Sequence, residues 1–123
     1  MKQEDNKPIM NERRQIVYYT SSAGDIPVRD FLDAAAPSLK TKAFRIFMHA
    51  EEYGIQGIVP YVKKLSGTPL WEIRILGGES VRILFVTQVG RSVLLLHAFY
   101  KKTQKIPQKE ITVALGRLKE YGN

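Results

Sequence analysis

The run Leu70–Tyr100, LWEIRILGGESVRILFVTQVGRSVLLLHAFY, decides the fold class. It holds three stretches rich in β-branched and aromatic residues: Trp71–Leu76, Val81–Thr87 and Ser92–Tyr100. The separators GGES and QVGR suit tight hairpin connections. Three strands joined by hairpins form an antiparallel sheet, because a parallel neighbour needs a long crossover that this run lacks. Tyr61–Leu65 (YVKKL) reads as a further strand just upstream.

Outward from that run the period changes. Arg14–Thr20 (RQIVYYT) reads as a first strand, broken by SSAGD. Asp25 is a candidate cap for a helix with Pro27 in its first turn, and Val28, Phe31, Leu32 and Ala35 form its apolar face. Pro37 is expected to end that helix and Ser38 to cap the next. The second carries Leu39, Ala43, Ile46, Phe47, Ala50 and Tyr53 at helical spacing and stops at Gly54. GIQGIVP is a connecting loop. From Pro107, the residues Ile111, Ala114, Leu115, Leu118 and Tyr121 make an apolar stripe, which reads as a C-terminal helix. The order β-α-α-β-β-β-β-α predicts an α+β domain: a first strand and a helical hairpin on a mainly antiparallel twisted sheet, with all helices on one face. Residues 1–12 read as a flexible polar terminus and 13–123 as a single domain.

The composition narrows the chemistry. The 123 residues include no cysteine, which excludes a disulfide framework, a thiolate zinc site and a Cys nucleophile. No stretch approaches the roughly 20 apolar residues of a membrane span. The first residues lack a signal peptide's apolar middle. A cytoplasmic protein is expected. Residues 1–60 carry 8 Lys+Arg against 8 Asp+Glu, a net of 0, and residues 61–123 carry 11 against 4, a net of +7. The whole excess lies in the second half. A basic half suits phosphate backbones, whose condensed counterions Lys and Arg displace.

Candidate site residues follow from alternation. In Trp71–Leu76, Glu72 and Arg74 point away from Trp71, Ile73 and Ile75. In the next strand Arg82 points away from Val81, Ile83 and Phe85. Both arginines can share one face as a phosphate clamp; the alternative is that Glu72 pairs with one or both of them as a surface cross-strand ion pair. Lys101, Lys102 and Lys105 follow the last strand, as one wall of an anion site or as a solvated connector. Tyr100 borders them and is a candidate for stacking on a base. His97 falls on an apolar strand face by alternation from Val93 and Leu95. It is either a structural residue or a proton carrier near neutral pH. His49 reads as a helix-surface residue. Two separated histidines with no carboxylate at matching spacing make no recognisable metal site, so no cofactor is expected.

The combination PLWEIRI, SVRILFV and VLLLHAFYKKTQKIPQKEI resembles the HigB branch of RelE/ParE-superfamily toxins and their phage-derived relatives. The likeness runs from Val62 to Tyr121, and its strongest element is H-x-F-x-K-K-T-x-K-x-P, matched by His97, Phe99, Lys101, Lys102, Thr103, Lys105 and Pro107. The resemblance implies a RelE-like fold and a ribosome-dependent endoribonuclease, an mRNA interferase that inhibits translation. It would cut mRNA by attack of the 2′-hydroxyl without a metal. It also implies a cognate antitoxin, HigA-like and of the helix-turn-helix kind. By motif position Arg74, Arg82 and Lys102 match basic residues of the RelE active surface. RelE-type members have a lysine where this chain has Glu72, and Tyr121 is only a positional match for their C-terminal tyrosine. Two other outcomes stay open on the same fold: a non-catalytic RNA-binding protein and a ParE-like gyrase poison. An inactive member that keeps only antitoxin binding is a third.

Overall fold

A computed structural model describes residues 15–77, 80–88 and 92–122. The expected flexible segment 1–12 and the centres of both hairpin turns lie outside these residues. The elements are β1 (Gln15–Tyr18), α1 (Pro27–Ala34), α2 (Pro37–Tyr53), a 3₁₀ segment (Ile55–Tyr61), β2 (Val62–Lys64), β3 (Trp71–Ile75), β4 (Val81–Gln88), β5 (Ser92–Tyr100) and α3 (Gln108–Gly122). They form an α+β domain with one five-stranded sheet in the order β1-β5-β4-β3-β2.

The meander β2–β3–β4–β5 is antiparallel throughout, as the short connections require. β1 joins the other edge in parallel with β5, pairing Ile16 with Val93 and Tyr18 with Leu95, so the sheet is mixed. Both faces are covered, which corrects the expectation of helices on one face. On one side α1, α2 and the 3₁₀ segment bury Val28, Leu32, Phe47 and Ile58 against Ile73, Ile83, Phe85 and Leu95. On the other, α3 sets Ala114 against Leu84, Leu94, Leu96 and Phe99, with Leu115 and Leu118 partly buried beside it. Strands buried on both faces lose their polar alternation, which is why β4 and β5 are nearly continuous apolar runs.

The helix boundaries follow proline and glycine. Pro27 opens α1, but the residue at its cap is Ile26 rather than Asp25, with no side-chain cap. Pro37 opens α2 rather than closing α1, and Ser38 lies inside the helix. A proline fits the first turn, where its missing N–H has no helical partner anyway. Gly54, at φ 73°, ends α2 while its N–H bonds to the Ala50 carbonyl. The expected loop after Gly54 is 3₁₀-helical and presses on α2. A Cβ on Gly57 would lie 2.8 Å from the Tyr53 Cβ and 2.9 Å from the His49 carbonyl oxygen.

One irregularity changes the reading of β5. Leu84 faces His97 and Phe85 faces Leu95, so Leu96 has no partner on β4. This β-bulge puts both Leu96 and His97 toward α3. His97 therefore leaves the apolar face that alternation predicted. Its Nδ1 lies 3.1 Å from Arg117 Nη1, and its Nε2 lies 2.6 Å from Glu110 Oε1. Arginine only donates, so Nδ1 accepts and the ring proton sits on Nε2, directed at Glu110. The same Arg117 nitrogen bonds the Leu96 carbonyl at 2.8 Å. At the far end of α3, the Tyr19 hydroxyl donates to Glu120. These bonds fix α3 to the bulge and to the residue after β1.

Burial holds the His97 pKa below its ordinary value. The Glu110 hydrogen bond works in the opposite direction, and the Arg117 charge adds to the lowering. A histidine lowered in the folded state binds fewer protons there than in the unfolded chain between the two pKa values. Its contribution is thus present above about pH 6.5 and is lost as pH falls below it. Urea unfolding should show lower stability at pH 5.5 than at pH 7.5, and His97→Gln should flatten that difference. An unchanged difference in His97→Gln would exclude this coupling.

Candidate nucleic-acid interface

β3 and β4 place their two arginines opposite each other. Arg74 and Arg82 are register partners, and Glu72 faces Leu84 two residues along. All three lie on the face opposite Ile73 and Ile83. Like charges in register repel, and Glu72 offsets this. Its Oε1 lies 2.9 Å from Arg82 Nε, with both side chains almost fully buried. The Nε–H does not point at that oxygen, so the pair is a charge contact without hydrogen-bond geometry on those atoms. The guanidinium also donates from Nη1 to the Val81 carbonyl at 3.2 Å. Arg82 is therefore held in place with donor capacity left over.

Two grooves meet at Arg82. One is bounded by Ser80, Arg82 and the segment Lys101–Gln104, and holds about 430 Å³. The loop that forms it is tied down locally: the Lys101 N–H bonds the Ser80 carbonyl at 2.9 Å, and Lys101 Nζ bonds the Gln104 carbonyl at 2.7 Å. The other groove, about 440 Å³, lies at the open edge of β3, since β2 pairs only as far as Ile73. Lys42, Arg45 and His49 of α2, Tyr61 of the 3₁₀ segment, and Arg74 and Arg82 of the sheet line it. No acidic side chain lines either groove among the described residues. This arrangement can bind an extended polyanion and stabilise charge that grows on a phosphate between the two arginines.

The sequence-derived candidates separate accordingly. Arg74 and Arg82 are brought together, and Lys101 and Lys102 border Arg82. Lys105 is exposed and outside both linings. Tyr100 lies on the opposite face of the sheet, where its ring packs on Phe31 with centroids 4.9 Å apart. It cannot stack on a base beside the lysines. His97 has both ring nitrogens engaged under α3 and leaves none for a substrate proton. Tyr121 is exposed rather than packed on the α3 stripe. Lys42, Arg45 and His49 were missed, although their spacing of three and four residues places them on one helix face. Among the described residues no three His, Asp or Glu side chains converge as a metal site would require. Nor is any described helix long and apolar enough to cross a membrane.

Removing one member of a buried pair strands the other charge. Arg82→Met should cost about 3–5 kcal/mol, and the double variant Glu72→Leu/Arg82→Met should recover most of that loss. Urea denaturation checks both; a double variant as unstable as the single one would refute the pairing.

No curated protein matches this chain. The family described as Phage derived protein Gp49-like (DUF891) matches residues 30–119, nearly three quarters of the sequence. The matched span contains α2, β2–β5 and most of α3, and with them both grooves. The chain belongs to this Gp49-like family of phage-derived proteins, which is associated with RelE-like and toxin-like proteins.

Proposed function

We propose that this chain is the toxin of a type II toxin–antitoxin pair and an endoribonuclease that cuts mRNA on the ribosome. The observation that carries this reading is the pair Arg74–Arg82, in register and joined to Lys101 and Lys102 across Arg82. In the reaction the 2′-hydroxyl loses its proton and attacks the adjacent phosphorus. The P–O5′ bond breaks, the leaving oxygen takes up a proton, and the products end in a 2′,3′-cyclic phosphate and a 5′-hydroxyl. Arg74 and Arg82 would bind the scissile phosphate and gain strength as its equatorial oxygens become more negative. Lys102 would hold the neighbouring backbone. Arg82 is fixed by Glu72 before substrate arrives, so little reorganisation is needed at the moment of reaction.

The HigB-like motif and the Gp49-like family support the toxin setting. A helix-turn-helix antitoxin and a cytoplasmic site of action accompany that setting. His97 has no place in proton transfer here; it positions α3.

Induced expression followed by mapping of RNA 5′ ends tests the reading. Wild type should produce translation-dependent cuts with 5′-hydroxyl ends. Arg74→Ala and Arg82→Lys should lower cutting by about 100-fold or more, on the scale of losing one transition-state donor. Arg82→Lys keeps a cation beside Glu72, so its loss reports on the guanidinium rather than on folding. Intact transcripts with DNA damage would point instead to a gyrase poison. RNA binding without cut ends would point to a non-catalytic protein.

A further inference from the structure

The groove at the open edge of β3 has a different chemistry from the lysine loop. It combines cations with apolar and aromatic surface: Tyr61 is 40% exposed and Leu76 66% exposed, beside Arg45 and Arg74. A site for bare phosphate needs only the cations, whereas a nucleotide presents a flat apolar base together with a charged phosphate. Arg82 lines both grooves, so whatever lies on it continues into this one. Arg82 is 9% exposed, and its Nε is turned to Glu72 at 2.9 Å, so the guanidinium sits fixed at the junction.

We propose that this groove is a nucleotide subsite for single-stranded RNA, with Tyr61 stacking on a base and Arg45 contacting the phosphate next to the one at Arg74–Arg82. The proposal rests on the RNA reading above but not on cleavage. The 3₁₀ segment packs closely on α2. Gly57 lets it approach α2 more closely than any side chain would allow, and this sets Tyr61 against the helix that carries Arg45 and His49. An acidic side chain would use only the cations, whereas a nucleotide uses both the cations and the stacking platform.

The test is fluorescence anisotropy of the full chain with a short oligoribonucleotide, 2′-O-methylated at every ribose so that it cannot be cut. Tyr61→Ala should weaken binding about 5-fold or more, and Tyr61→Phe should restore it, as base stacking predicts. With abasic sites in place of the bases, Tyr61→Ala should bind like wild type. Arg45→Ala should weaken binding to both RNAs and lower the log–log salt slope by about 0.7. Lys119→Ala, on α3, should match wild type throughout. The proposal is overturned if wild type fails to bind, if Tyr61→Ala and Arg45→Ala bind normally, or if the Tyr61→Ala loss persists on abasic RNA. Cutting by wild type with normal binding by both groove variants would retain the nuclease and reject the subsite. Binding that depends on Tyr61 and Arg45 without any cutting would do the reverse.

Discussion

The buried contact between Glu72 and Arg82 is the constraint on which the surface depends. Taking two charges out of water costs several kcal/mol per ion after relaxation, and a 2.9 Å contact without good hydrogen-bond geometry returns only part of it. An apolar pair would pack these positions at least as well. The pair makes sense as a means of placing a guanidinium. It holds Arg82 near the start of β4, and it lets Arg74 sit in register beside a second cation. By its resemblance to RelE-type toxins, this chain has Glu72 where those members have a lysine. The same strand position thus holds its partner in place here instead of adding a charge to the surface.

The bulge at Leu96 organises the opposite half. Without the extra residue, His97 would point into the cluster beneath α1 and α2. With it, His97 turns to α3 and stacks near Phe99, with centroids 5.4 Å apart. Glu110 and Arg117 then meet the ring from two sides. Beyond the bulge, Tyr100 falls on the α1 side and packs on Phe31, while the chain leaves the sheet as the lysine loop. The histidine of the H-x-F-x-K-K motif is therefore a structural element of α3 docking, and its lysines form the surface.

Much of this was legible in the sequence. The hairpin separators and β-rich runs gave the antiparallel meander, and alternation in Trp71–Ile75 put Glu72 and Arg74 on one face. Alternation also left open whether Glu72 would pair, and the Arg82 contact answers that. β5 resisted reading because Val93–Leu96 is apolar at every position, so no polar residue marks the face and a one-residue shift leaves no trace. The consequences fell on His97 and Tyr100. The placement of α3 was hidden for a related reason: an apolar stripe says that a helix packs, not on which side of a sheet. Pro27 marked the first turn of α1, but polar residues misplace the caps: Ile26 rather than Asp25 precedes α1, and Pro37 rather than Ser38 opens α2. Lys42, Arg45 and His49 share a helix face in the sequence, but their meeting with Arg74 depends on β2 pairing with β3 only as far as Ile73.

The central claim is that Arg74 and Arg82 together hold an RNA phosphate. Arginine side-chain NMR observes this directly, through the Nε–H resonances of both residues during titration with uncleavable single-stranded RNA. Binding between them predicts that both resonances shift and saturate at the same RNA concentration. Saturable RNA binding with both resonances unmoved would contradict it.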